Sequence, residues 1–330
     1  MRSSLRPYLP VLALGVLLAL APLLLTSNVA LNFLAVTLIV SLAAQGWNLL
    51  GGFGGQFSFG HAAFFGVGAY SSAIWQMRFG LDAWTGLLVG TAMGAVTGLV
   101  IGFLAFRAGL RGSYFALVTL AFAEVFRVLA NSSEVTGGAA GMLLPLKIGA
   151  GNLQFSDRAT FLGLVVALTV LVLGLVQWIR GSRFGAQLVA LRENEEAARA
   201  LGVDVLAVKL KAIGLSGAIT ATAGVLYLQY FLFIDANIAF GTWISVEVLL
   251  AAIVGGLGTV LGPVVGALAL HGLGELVKAA VGQLPGIDLA VYGAILVVAV
   301  AFLPGGLVGL ARRRAAPRQV RKAEPEGGRA

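Results

Sequence analysis

Apolar residues come in long runs separated by short polar stretches, and this alternation dominates the chain. Runs of about 20 residues suit helices that cross a lipid bilayer. Such runs fall at 8–25, 31–50, 84–106, 113–130, 159–179, 212–233, 243–254 and 287–303. A third span opens after a glycine-rich turn near 51–55 and reaches about 75, and a ninth ends near 281. The pattern predicts an all-α, polytopic membrane protein with about ten transmembrane helices. Arg2 and Arg6 precede the first run, as in a secretory signal. That run is longer than an ordinary signal core and no small-x-small cleavage site follows, so a retained helix is expected.

Glycine adds a second pattern. Gly86, Gly90, Gly94, Gly98 and Gly102 recur every fourth residue and predict a ridge without side chains, against which another helix packs closely. Gly258, Gly262 and Gly266 repeat the spacing in GGLGTVLGPVVGA, with Pro263 placed for a helix's first turn. The earlier stretch GGFGGQFSFGHAAFFGVGAY, 51–70, has the same plan of a Gly-Gly turn before a small-residue helix. The echo suggests two loosely related halves, an arrangement common in transporters. Irregular backbone at this depth survives inside protein or beside a watery path. Gln56, Ser58 and His61 are therefore candidates for a translocation pathway, with close helix packing as the alternative reading of the glycines. Glu124 and Arg127 lie three apart inside one run, and Glu247 inside another. Charges there face protein or water, so Glu124 either pairs with Arg127 or meets substrate, and Glu247 joins the pathway candidates.

Only 11% of residues are charged, against about 25% in soluble domains, and the mean hydropathy is +0.96. The net charge of +8 could suggest nucleic acid, but its distribution argues against that partner. With ten spans and a cytoplasmic N-terminus, 17 of the 22 Lys and Arg residues fall on the cytoplasmic side. This is the asymmetry that orients membrane proteins, and it places both termini in the cytoplasm. Residues 1–310 then form the membrane domain, and 311–330 a basic, disordered cytoplasmic tail. The absence of Cys excludes disulfides and thiolate metal sites. No GxxxxGK[ST], no HExxH and no metal-spaced His/Asp/Glu cluster occurs, so no cofactor, metal or enzyme activity is expected.

One polar island, 181–211, interrupts the apolar runs and lies on the cytoplasmic side of this topology. Helix formers run from Leu191 to Leu201, and Gly202 is a natural stop. Glu195 and Arg199 have the favourable i,i+4 order, and Leu191, Ala198, Leu201 and Val205 suggest one weakly apolar face. A helix from about 193 to 201 would be a peg for a partner.

Glu196, Ala197, Ala198 and Gly202 match the spacing Glu-Ala-Ala, three residues, Gly. This resembles the cytoplasmic signature of importer-type ABC permeases, although Ala212 and Ile213 stand where the fuller pattern differs and no Leu-Pro follows. The stretches 46–70, 117–138 and 246–267 extend the likeness. From about 30 to 309 the chain resembles the LivM-type membrane subunit of a branched-chain amino acid ABC importer. The resemblance implies ATP-driven alternating access and a bacterial inner-membrane location. It also implies a second related permease subunit, two cytoplasmic ATPases and an extracytoplasmic binding protein. Glu195, Glu196, Ala197, Ala198 and Gly202 would then couple to the ATPase. Permeases for urea, short amides or other small solutes share these features. An ion-coupled secondary transporter, with Glu124, Glu247 or His61 as carrier, is the reading from another class.

Overall fold

The computed structural model describes residues 6–24, 27–281, 293–294 and 305–315. Helices dominate: α1 (Leu9–Leu24), α2 (Asn28–Trp47), α3 (His61–Phe79), α4 (Ala83–Arg107), α5 (Gly112–Ser132) and α6 (Arg158–Arg180). Two short helices follow, α7 (Arg183–Glu193) and α8 (Glu195–Ala200). Then come α9 (Val205–Phe231), α10 (Ala236–Ala239), α11 (Thr242–Gly255), α12 (Gly262–Val281) and α13 (Gly306–Ala315). Local chemistry marks the starts. Asp82, Asp157, Asp204 and Asp235 each accept backbone N–H bonds at the first turns of α4, α6, α9 and α10.

Among the described residues, a helix stands at each of the first nine expected spans; the tenth, 287–303, lies outside them. Among the described residues, six segments are long and apolar enough to cross a membrane: Asn28–Phe53, Ala83–Arg107, Gly112–Ser132, Arg158–Arg180, Val205–Phe231 and Ala236–Gly255. The chain is thus a multi-pass membrane protein. Among the described residues, small departures from an all-helical chain occur outside the spans, including a bridge between Gly149 and Gln154. Met142–Leu143 (β1) pairs antiparallel with Phe233–Ile234 (β2) and ties the 133–157 loop to the end of α9.

Glycine decides the packing. A Cβ built on Gly94 would stand 2.6 Å from the Gly217 carbonyl, and one on Gly98 2.6 Å from the Ile213 carbonyl. Gly90 and Gly86 face α3 in the same way, through the Gly68 carbonyl and the Ser72 hydroxyl. Gly102 closes the ridge against Ile213. Backbone therefore meets backbone where α3, α4 and α9 touch, at separations that any side chain would prevent. Gly262 and Gly266 serve the α11–α12 contact, against Gly256 and Ala251. Gly258 does not belong to that ridge. It lies before α12 in a turn with φ +67°, because α12 starts four residues later.

The first glycine-rich break also lies elsewhere than the sequence predicts. Asn48–Phe53 continue α2 as a wider π-helical turn, and the chain leaves the helix only from Gly54 to Gly60. Side-chain bonds explain the wider turn. Asn48 donates Nδ2 to the Thr259 carbonyl and accepts the Gly258 N–H at Oδ1, both at 2.9 Å. Gln45 donates to the Val260 carbonyl at 3.0 Å. The two glycine-rich breaks are thereby bound to each other at one end of the bundle.

Candidate functional site

The polar island forms two helices, not the single peg that helix propensity suggests. Asn194 has φ −159° and interrupts the helix. Its Oδ1 accepts the N–H groups of Glu196 and Ala197, each at 3.0 Å, and so starts α8 afresh. The six residues of α8 make a stub about 9 Å long. Leu188, Leu191, Ala198 and Val205 are buried against the bundle. Leu201 is not; it is 85% exposed, so the expected four-residue apolar face is split. Glu196, Ala197, Ala200, Leu201 and Gly202 form the outward surface of the stub. Gly202 has φ +84° with open space around its Cβ direction, the left-handed end that suits glycine.

Glu195 turns inward. Its carboxylate lies 2.7 Å from Lys209 Nζ, 3.1 Å from Arg111 Nη2 and 3.3 Å from Arg199 Nη2. Lys209 is buried on α9 and also stacks over the Phe106 ring at 5.3 Å. Arg111 comes from the short link between α4 and α5. One carboxylate therefore pins the stub to two other parts of the fold, α9 and the α4–α5 link, while Arg199 pairs with it from within α8. Sequence spacing indicates Arg199 as a partner of Glu195, but Arg111 and Lys209 become partners only through the fold.

Arg192 makes the second link. From the end of α7 its Nη1 donates to the Gly52 carbonyl at 3.0 Å, while Nη2 pairs with Glu193 at 2.7 Å. Gly55 and Gly258 both pack close to this side chain. The island is thus in direct contact with both glycine-rich breaks. No sequence signal marks Arg192, because its partner is a backbone oxygen 140 positions away.

The pathway candidates fall into separate places. Ser58 and His61 are fully buried: His61 Nδ1 is 3.2 Å from Ser58 Oγ, and Nε2 is 2.8 Å from Ser216 Oγ. Ser216 in turn donates to the Gly46 carbonyl at 2.7 Å, so this chain of bonds ties α2, α3 and α9 together. Gln56 is half-buried and donates to the Gly54 carbonyl. Glu124 forms a bidentate pair with Arg127 on α5, and Arg127 also donates to Asn237 at 2.8 Å. Glu247 lies in a third place. Its Oε1 is 2.9 Å from His271 Nε2, and His271 Nδ1 is 2.9 Å from Thr37 Oγ1.

Glu247 and His271 of this array border a cavity of about 660 Å³ between α2, α11 and α12, which Phe231 and Gly293 also line. Each helix presents one face to it. From α2 come Val29, Asn32, Phe33 and Val36; from α11, Trp243, Val246, Glu247 and Leu250; from α12, His271, Gly274, Glu275 and Lys278. All three sets have the spacing i, i+3, i+4, i+7 of a single helical stripe. The cavity reaches toward the start of α2, the end of α9 and the start of α11, at the end of the bundle away from α7 and α8.

Long apolar helices joined through glycine, a capped polar helix pair at one end and an amphipathic cavity at the other define a multi-pass protein of the transporter class. The chain belongs to the family described as branched-chain amino acid transport system / permease component, which matches residues 29–300. It is 30% identical to the high-affinity branched-chain amino acid transport system permease protein LivM of Escherichia coli K12, over 94% of this chain and 77% of that one. LivM of Salmonella typhimurium is 29% identical, over 87% of this chain and 71% of its own. The E. coli permease protein LivH matches at 27%, over 82% of this chain and 91% of its own. No solved structure matches. The likeness expected from the sequence is therefore borne out at family level, and the relatives are transport permeases and not enzymes.

Proposed function

We propose that this protein is the membrane-spanning subunit of an ATP-driven importer for branched-chain amino acids in a bacterial cytoplasmic membrane. It works beside a second, related permease subunit. The likeness to both LivM and LivH supports that pairing. Two cytoplasmic ATPases and an extracytoplasmic binding protein complete the assembly. The topology of this reading has ten spans in two loosely related halves, with both termini cytoplasmic. Residues 1–310 form the permease domain, 181–211 its coupling segment and 311–330 a basic tail. The 17 of 22 basic residues on one side support that orientation.

The observation that carries the reading is the α7–α8 appendage. Glu196, Ala197, Ala200 and Leu201 project from a helix that Glu195 fixes from behind. An 85%-exposed leucine at the tip of a rigid, otherwise polar stub fits an apolar recess on a partner. Glu196, Ala197, Ala198 and Gly202 carry the ATPase-facing signature, with Ala198 as the buried foot and Glu195 as the anchor. Leu201→Glu and Glu196→Lys change only the exposed surface. Gly202→Leu adds bulk at a left-handed position as well. All three variants should insert normally, co-purify with less ATPase and take up less leucine. Full ATPase association and full uptake for all three would reduce the appendage to a loop.

A further inference from the structure

One span is left largely uncovered. Of the six apolar spans among the described residues, α5 is the least enclosed: 28% of its apolar stretch is buried, against 39% or more in the other five. Leu117, Ala121, Glu124 and Val128 are all exposed. They recur three or four residues apart and so make one outward stripe. Its composition does not suit lipid. On α4 and α6 the outward positions Val96, Val100, Phe103 and Leu171 are apolar, as hydrocarbon requires. On α5 the Glu124 side chain is 47% exposed and that of its partner Arg127 32%. Glu124 lies about 18 Å along the axis from the start of α5 and about 12 Å from its end. Arg127 directs its donors to Glu124 and Asn237. An ion pair so deep in a span and so open faces protein or water, because hydrocarbon solvates neither group.

A groove runs beside the stripe. It lies between α3 and α5, has a volume of about 240 Å³ and is bordered by the exposed Leu129, which joins it to the stripe. Tyr70 and Phe126 both stack on Phe240, with ring centres 5.7 and 6.0 Å apart, so its walls are held in place. The Tyr70 hydroxyl in that wall is buried and has no hydrogen-bond partner among the described residues. A buried hydroxyl in this state costs stability until a partner supplies the bond. Stripe and groove therefore call for the same kind of cover: a surface apolar in most parts, with polar groups at two fixed places.

We propose that this side of the bundle, the α5 stripe with the groove beside it, is the face on which the second permease subunit docks. The inference rests on the importer reading and gives its permease pairing a place. Of the partners in that assembly, only another membrane-embedded subunit reaches the depth of Glu124. The ATPases meet the α7–α8 end, and the binding protein stays outside the bilayer. A partner helix with hydrogen-bonding side chains opposite Glu124 and Arg127, and apolar ones opposite Leu117 and Val128, satisfies the stripe.

Photo-cross-linking in the full transporter, expressed with an epitope-tagged second permease subunit, tests the face. The photoreactive residue p-benzoylphenylalanine replaces Leu117 or Val128 on the stripe, or Val100 on α4 or Leu171 on α6 as lipid-facing controls. Irradiated membranes should yield an adduct of the two subunits from Leu117 and Val128 and none from Val100 and Leu171. In parallel, Ala121→Trp adds bulk at the exposed centre of the stripe. It should lower co-purification of the tagged subunit several-fold at unchanged membrane abundance of this chain; full co-purification would contradict the proposal. The cross-links decide even where that variant fails to accumulate. Adducts between two copies of this chain, or within one copy, from the stripe positions would overturn the proposal, as would adducts with the tagged subunit from the controls. If the wild-type chain co-purifies the tagged subunit but the stripe positions react only with lipid, this inference fails and the importer reading stands. If the wild type neither retains the tagged subunit nor imports leucine, the importer reading falls, and this inference with it.

Discussion

Glu195 shows how little of a charged residue's role is set by its neighbours in sequence. It accepts contacts from Lys209, Arg111 and Arg199, and Lys209 is nearly inaccessible. Removing the acid strands a buried ammonium, and breaking a buried pair this way costs about 3 kcal/mol. Glu195→Ala should therefore lower the unfolding temperature of the purified complex. Glu195→Ala combined with Lys209→Met should recover most of the loss, because the stranded charge leaves with its partner. An unchanged unfolding temperature in the single variant would show that the contacts contribute nothing. The same logic applies to Glu124 and Arg127 in the α5 span. Either alanine variant alone should reduce membrane abundance more than the pair changed together. If Glu124 instead meets substrate, the double variant will transport no better than Glu124→Ala.

At the scale of elements, the glycine ridge of α4 makes a graded prediction. A methyl group at Gly98 would press on the Ile213 backbone carbonyl, which cannot move without shifting α9. A methyl group at Gly86 would meet the Ser72 hydroxyl, which can rotate away. Gly98→Ala should destabilise by about 1–3 kcal/mol, the usual range for overpacking, and Gly86→Ala by clearly less. Gly94→Leu, which drives bulk into Ala221 and the Gly217 carbonyl, should impair assembly outright. Heat-induced aggregation of the three variants in detergent would rank them, and equal stability at positions 86 and 98 would contradict the packing described. In the appendage, Asn194→Ala removes the cap of α8 and should cost about 1 kcal/mol. The expected readout is faster proteolysis within 183–202, with the spans intact.

For the whole molecule, the notable arrangement is the meeting of the two glycine-rich breaks with α7. Asn48 and Gln45 bind the turn before α12, and Arg192 binds the turn after α2. A displacement of α7 and α8 therefore reaches both breaks through one side chain and one carbonyl. Arg192→Ala leaves the exposed tip of α8 untouched. It should retain ATPase association, in contrast to Leu201→Glu, yet lower the leucine imported per ATP hydrolysed. Unchanged coupling in Arg192→Ala would show that motion enters the bundle elsewhere.

Much of this protein is legible from its residues alone. Apolar runs of bilayer length place the helices, since in lipid the backbone must satisfy its own hydrogen bonds locally. The fourfold spacing of Gly86 to Gly102 marks a contact ridge, because helical geometry puts those positions on one line. The basic residues indicate a side, and the Glu-Ala-Ala spacing indicates a family. These signals are local or additive, so a one-dimensional reading captures them. The break of the island at Asn194 is local too, but average propensity hides it, because one capping side chain outweighs a run of helix formers. Only the tertiary structure decided that Glu195 faces inward, that Gly258 sits in a turn beside Gly52, and that Glu247 meets His271 and Thr37. Each of these depends on helices that are distant in sequence and adjacent in space. The α12 residues His271, Glu275 and Lys278 likewise come to line a cavity only because α2 and α11 stand opposite them.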